Sequence, residues 1–290
     1  MNEQLFSGCG VALATPFRAG EVDYPALGAL IERQIASGVD ALILCGTTGE
    51  PSTLTPEEKR GVWETGLRQA RGRVPVLAGT GGNNTREVIE QSLLAQSLGV
   101  DGLLLVTPYY NKTTQEGLIA HFSRVADAVR LPIILYNVPG RTGLNMRPET
   151  AARLCAHPRI LGVKEACGDI SHAAELMRLC PNAAVYSGND DQTLPMMAMG
   201  AQGVISVAAN VVPRQMARLT HAMLEGDLPA ARREHTRLLP LMHELFASVS
   251  PIPLKAALAA LGLCENEVRL PLVPQRATQE LLTALFAALE

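Results

Sequence analysis

Eight short apolar runs recur along the chain, and each stops at Gly, Thr, Pro or Asn. They are GVALATPF (10–17), ALILCGTTGE (41–50), PVLAGTGGNN (75–84), GLLLVTPYYN (102–111), PIILYNVPGR (132–141), ILGVKEA (160–166), AVYSGND (184–190) and GVISVAAN (203–210). Most are nearly continuous in Val, Ile and Leu rather than alternating, the pattern of parallel strands covered on both faces. Amphipathic segments with helix start signals lie between them. Asp23 precedes Pro25, after which Leu27, Leu30, Ile31 and Ile35 share one face. Thr55-Pro-Glu-Glu58 reads as a capping box with Pro at the first helical position, and Asn84–Glu87 and Thr113–Glu116 have the same spacing. Strands alternating with helices give right-handed βαβ units.

Eight such units in roughly 210 residues predict an α/β fold, a (β/α)8 TIM barrel, which is typically ~250 residues long. The alternative is a doubly wound open sheet, which advertises a G-x-G-x-x-G after its first strand. The nearest string, GTGGNN (79–84), has Asn in place of the last Gly and follows the third run, so it is read as a turn. After about residue 225 the strand signal stops, and residues 227–290 are helical in pattern with breaks at PIP (251–253) and PLVP (271–274). The expected division is a barrel over 1–225 and a small three-helix C-terminal extension over 226–290.

Composition agrees with this class. The 290 residues are 47% hydrophobic but only 4% aromatic, with 25 glycines and 19 prolines, which suits an aliphatic α/β core with many tight turns. The net charge of −3 is spread along the chain, and no basic block is present, which argues against nucleic-acid binding. Arg68, Arg71 and Arg73 flank a predicted helix end, where cations complement the dipole. The six cysteines form no C-x-x-C pair and read as small buried hydrophobes of a reducing compartment. The six histidines show no H-E-x-x-H spacing, so no protein-built zinc site is expected. MNEQLFSGCG lacks a cationic segment followed by an apolar one, and no run approaches the roughly 18 apolar residues of a membrane span. A soluble, cytoplasmic protein is expected.

Active sites of such barrels lie at the C-terminal ends of the strands. The residues ending each run therefore converge: Thr47 and Thr48, Tyr109 and Tyr110, Tyr136 and Arg141, Lys164, Gly188 and Asn189, Ser206 and Asn210. The set contains a lysine, phenols, hydroxyls and one arginine. It lacks a carboxylate cluster for a metal and a Ser or Cys nucleophile paired with His. A lysine among apolar walls and phenols suits Schiff-base formation with a carbonyl substrate. Only the free amine attacks a carbonyl, and burial disfavours the ammonium. The resulting iminium withdraws electrons from the adjacent carbon, and a nearby phenol can shuttle protons. Taken singly, each residue has an ordinary explanation: Lys164 as half of an ion pair, Tyr136 as a core tyrosine, Thr47-Thr48-Gly49 as a turn, Arg141 as a surface residue. Glu165 points to the opposite face of the strand from Lys164, which weakens the ion-pair explanation.

CGTTGE (45–50), PYYNK (108–112), YNVPGRTG (136–143), GVKEA (162–166) and SGND (187–190) resemble the dihydrodipicolinate synthase family, also called 4-hydroxy-tetrahydrodipicolinate synthase. The similarity runs from about residue 5 onward with the motifs in order. The resemblance implies a Schiff base between Lys164 and pyruvate, and a hydroxyl relay of Tyr136, Thr47 and Tyr110, the last reaching into a neighbouring subunit. It implies Thr48 on the pyruvate carboxylate, and backbone carbonyls of Gly188 and Ile205 near the lysine. Arg141 falls on the carboxylate of the second substrate, L-aspartate 4-semialdehyde. It further implies no cofactor and no metal, and a homotetramer built as a dimer of dimers. Related barrels, N-acetylneuraminate lyase and 2-keto-3-deoxy sugar acid aldolases, share the lysine and tyrosine but generally lack the RTG arginine. A non-catalytic barrel that senses keto acids stands as an alternative of another class. Some family members are inhibited by lysine at a subunit interface; Asn83, Glu87 and Tyr109 match that site. The strongly inhibited enzymes carry histidines where this chain has Pro56 and Lys59, which implies weak or absent inhibition.

Overall fold

Each of the eight apolar runs coincides with a barrel strand, the first strand beginning two residues before its run. The computed structural model describes residues 5–289, so the first four residues, on which the reading of the N-terminal segment partly rests, lie outside the described residues. Strands β1 (Gly8–Ala12), β2 (Ala41–Leu44), β3 (Val76–Gly79), β4 (Gly102–Val106), β5 (Ile133–Asn137), β6 (Ile160–Glu165), β7 (Ala184–Ser187) and β8 (Gly203–Ser206) close into a barrel in that order, β8 pairing back onto β1. All eight pairings are parallel. Helices α1 (Tyr24–Ala36), α2 (Pro56–Ala70), α3 (Thr85–Leu98), α4 (Gln115–Ala128), α5 (Pro148–Cys155), α6 (Ile170–Leu179), α7 (Thr193–Ala198) and α8 (Pro213–Leu224) follow the strands in turn. This is the (β/α)8 TIM barrel that the sequence predicts.

Continuous hydrophobicity in the strands is explained by burial on both faces. Leu42, Leu44, Leu103, Leu105, Leu135, Val163 and Val185 pack outward with the helices. Ile43, Leu77, Leu104, Ile134, Tyr186 and Ile205 point inward and fill the barrel. Phe6 stacks on Tyr186 with ring centroids 4.4 Å apart, and the Tyr186 hydroxyl donates to the Phe6 carbonyl at 2.6 Å.

The helix starts follow the sequence signals, with one shift. Asp23 caps α1 by accepting from Ala26 N, and Thr55 with Glu58 forms the reciprocal capping box of α2. Asn84 caps α3 through Arg86 N, while its own amide donates to Glu87. For α4 the cap is Thr114, accepting from Gly117 N, and not Thr113. Two adjacent threonines offer the same hydroxyl, and spacing alone does not choose between them. The cysteines are free; Cys9, Cys45 and Cys180 are buried as expected, whereas Cys155, Cys167 and Cys264 are partly exposed.

Beyond α8 come three further helices, α9 (Leu228–Glu244), α10 (Ile252–Ala260) and α11 (Gln279–Leu289). Helix α9 packs on α8 and α11. Helix α10 is tied to the barrel mouth by a fully buried cation. Lys255 Nζ donates to the Thr15 carbonyl at 2.6 Å and the Glu267 carbonyl at 2.9 Å, and lies 3.2 Å from Glu50 Oε1. It also sits 4.3 Å from the centre of the Phe17 ring. Glu50 is itself held in the left-handed region at φ 53°, where it ends the turn that carries Thr47 and Thr48. Its other oxygen accepts from Arg269 N at 3.1 Å. Removing one partner of a buried pair strands the other charge in a dry site. Lys255→Met is therefore expected to lower unfolding free energy in urea by about 3–5 kcal/mol. A variant as stable as the wild type would show that this pair does not hold the mouth.

Candidate active site

Lys164 faces the barrel interior because β6 carries an extra residue. The pairing with β5 steps from Ile133↔Ile160 to Ile134↔Gly162, a register shift that re-aims the strand. Thereafter Gly162 and Lys164 turn inward, while Val163 and Glu165 turn outward. Tyr136 is directly across from Lys164, and Asn137 from Glu165. Two glycines make room. A Cβ on Gly162 would lie 2.2 Å from the Ala184 carbonyl oxygen. One on Gly188 would lie 2.6 Å from Ala166 Cβ and 3.1 Å from Lys164 Cε.

The Lys164 amine lies 4.2 Å from the centre of the Tyr136 ring, and the residue is 4% exposed. Burial pulls its pKa down from the ordinary lysine value to about 7; Asp190 opposes this and the Arg141 guanidinium adds to it. Desolvation therefore wins over a neighbouring carboxylate. The same burial pushes the Tyr136 phenol up to about 12, against the pull of Arg141 and a hydrogen bond with Thr47. Thr47 opens the one-turn Thr47–Gly49 segment after β2, and Thr48 is buried within it. The Thr15 hydroxyl fixes that turn by donating to the Gly49 carbonyl at 2.9 Å.

A cavity of about 410 Å³ adjoins this pair through Thr47 and Arg141, and Lys59, Tyr109, Val138 and Thr142 line it further out. Arg141 stands in the four-residue helical turn Pro139–Thr142. One guanidinium nitrogen donates to the Ser250 carbonyl at 3.2 Å, so the segment before α10 aims it. Ile205 is fully buried on β8 among the inward-facing residues.

The fold thus gathers Lys164, Tyr136, Thr47, Arg141 and Gly188 around one amine. Lys59 and Tyr109 share the cavity. Asn83 is attached to its rim, its amide donating to the Tyr109 carbonyl at 3.1 Å, and Glu87 sits in the first turn of α3. Tyr110 is not brought to Lys164 within the chain: it is 91% exposed and held at φ 68°. Sequence reasoning missed Asp190, the largest opposing charge on the amine. Its carboxylate accepts from Val207 N at 3.0 Å and Ala208 N at 2.9 Å. The only signal was its place one residue beyond the strand-end pair Gly188-Asn189.

A closed parallel barrel that presents a desolvated lysine beside a phenol defines the class of enzymes that work through a lysine–carbonyl imine. More narrowly, the chain belongs to the Dihydrodipicolinate synthetase family, which it matches over residues 5–289. It is 53% identical to the 4-hydroxy-tetrahydrodipicolinate synthase of Pelobacter propionicus over 271 residues, 93% of each chain. The dihydrodipicolinate synthase of Thermotoga maritima superimposes with a TM-score of 0.95 at 43% identity, covering 99% of this chain and 98% of that one. The chloride-inhibited dihydrodipicolinate synthase of Acinetobacter baumannii, solved with pyruvate, gives 0.95 at 43% identity over 98% of this chain and 99% of the other.

A lowered lysine pKa means that free amine appears above about pH 7, where an exposed lysine is still an ammonium. Borohydride trapping of a 2-keto acid on Lys164, followed by mass spectrometry, is expected to rise with pH through about 7 and level off above it. A rise that begins only near the pKa of free lysine would contradict the desolvated site.

Proposed function

We propose that this protein condenses pyruvate with L-aspartate 4-semialdehyde, giving 4-hydroxy-2,3,4,5-tetrahydrodipicolinate on the route to diaminopimelate and lysine. The observation that carries it is the buried Lys164 amine, poised at about 7 against the Tyr136 ring, with Thr47 and Arg141 between that pair and the adjoining cavity. The free amine adds to the pyruvate carbonyl, and water leaves as the imine forms. Loss of a methyl proton gives the enamine, whose carbon attacks the aldehyde of the second substrate. That substrate's amino group then adds to the imine carbon, closes the ring and expels Lys164.

The family resemblance supports the following roles. Tyr136 and Thr47, already hydrogen-bonded, move protons to and from the imine. Thr48 holds the pyruvate carboxylate, and the carbonyls of Gly188 and Ile205 flank the lysine. Arg141 receives the carboxylate of the semialdehyde, for which a planar fork of donors is suited. Tyr110, strained and turned outward, completes the relay in a neighbouring subunit, so the working unit is at least a dimer, assembled as a dimer of dimers. Among the described residues no helix is long and apolar enough to cross a membrane, and the cytoplasm is the proposed compartment. The barrel over 1–225 carries the chemistry, and 226–290 forms the extension that braces it.

In a coupled assay with both substrates, wild type is expected to turn over, while Lys164→Ala loses covalent trapping and nearly all activity. Consumption of pyruvate only with N-acetylmannosamine, or its release from keto-deoxy acids, would assign the barrel to a related aldolase instead. Asn83, Glu87 and Tyr109 stand where lysine binds in inhibited relatives, and Lys59 lines the same cavity as Tyr109. An ammonium there repels a cationic ligand. Inhibition by L-lysine is therefore expected to be weak or absent, and a submillimolar inhibition constant would overturn this.

A further inference from the structure

We propose that Glu165, Cys167 and His172 form a binding site for a zinc-class divalent cation on the outer face of the barrel, directly behind Lys164. One carboxylate oxygen, the thiol sulfur and one imidazole nitrogen of these residues all lie within 4.8 Å of one another. That is somewhat wider than the edges of a metal tetrahedron, whose bonds run about 2.0–2.3 Å, and small side-chain rotations close the difference. The donor set is mixed. Thiolate and imidazole favour zinc and its neighbours over calcium or magnesium, which prefer all-oxygen cages.

The three donors are placed by local structure and not by chance contact on a surface. Glu165 ends β6 facing outward, 2% exposed. Its Oε1 accepts from Cys167 N at 2.7 Å, which curls the chain so that the thiol returns toward the carboxylate. Asp169 then caps α6, accepting from Ser171 N at 2.8 Å and His172 N at 3.3 Å, and so sets His172 in the first helical turn. The His172 side chain is 11% exposed, and its Nε2 lies 3.3 Å from Glu165 Oε2, close enough for ion pairing but not aligned for a hydrogen bond. A buried ring nitrogen is thus aimed at a carboxylate and a thiol without a partner in hydrogen-bond geometry. Cys167 and His172 remain partly exposed, which gives a cation a route in and leaves room for water as a fourth ligand.

A supporting contact is also present. Asn137 Nδ2 donates to both Glu165 oxygens at 3.0 Å, the kind of outer contact that orients a ligating carboxylate. Asn137 follows Tyr136, as Glu165 follows Lys164, so the site is one residue removed from each half of the inward-facing pair. The sequence offered no zinc motif because the spacing, Glu-x-Cys-x4-His, crosses from a strand end through a loop into a helix. Only the cap at Asp169 and the turn at Cys167 bring the three donors together.

The test is titration of the full-length wild-type protein with Co2+ alone, read by absorption, followed by Zn2+ competition. A thiolate-to-cobalt charge-transfer band with one equivalent bound per chain, displaced by zinc, is expected. Cys167→Ser should abolish the band, His172→Gln should weaken binding roughly tenfold or more, and Cys155→Ser should change neither. Circular dichroism of the two site variants checks that they are folded. Absence of the band in wild type, or a band that survives Cys167→Ser in folded protein, overturns the site.

Discussion

An ammonium cannot be carried into the middle of a closed ring of aliphatic strands without a large loss of hydration, and that constraint organises this molecule. At Lys164 it is met by loosening the proton, so that free amine and ammonium are comparably populated near neutrality, rather than by neutralising the charge. A carboxylate is close by, at Asp190, yet burial dominates and the amine sits near 7. Asp190 is itself engaged by two backbone N–H groups at the start of the segment after β8, and burial pushes its own carboxyl upward. Each unit of displacement in a pKa corresponds to about 1.4 kcal/mol between protonation states, so the lysine is maintained at a cost that the surrounding aliphatic packing must offset.

Strand alternation lets two kinds of chemistry occupy the same few residues. On β5 and β6, Tyr136 and Lys164 face the interior as a matched pair, and Asn137 and Glu165 face the helices as another. The inner pair is buried and makes few hydrogen bonds. The outer pair makes many, through Asn145, Met146 N and Cys167 N. A one-residue slip would exchange the two sets, which is why the register step at Ile133/Ile134 matters more than any side chain around it. The mouth above is assembled from distant segments: the turn after β2, the turn after β5, and the backbone ahead of α10.

What could be read from the residues alone is what local pattern encodes. The apolar runs and the punctuation ending them located all eight strands, and the polar residues at those ends pointed to Thr47, Tyr136, Arg141 and Lys164 as neighbours. The caps at Asp23, Thr55 and Asn84 were equally readable, because capping is decided within four residues. At Thr113–Thr114 two identical caps competed and the local signal was ambiguous. Contacts between remote segments left no trace in the pattern. Nothing around Lys255 suggests Glu50, 205 positions earlier, and nothing in SGND reveals that Asp190 caps backbone N–H groups after β8. These pairings exist because barrel closure sets β7 beside β8 and the packing of α10 on the rim brings Lys255 to Glu50.

Lys255 has a meaning for anyone wishing to reduce this protein to a minimal catalyst. Its nitrogen ties α10 to the carbonyl of Thr15, and it shares Glu50 with the turn that presents Thr47. A version trimmed after the eighth β/α unit keeps every strand, yet loses the keystone of the rim and the carbonyl that aims Arg141. Miniaturising the scaffold therefore means rebuilding its lip, for instance by replacing Glu50 and filling the vacated space with aliphatic side chains, before the reactive amine is considered at all.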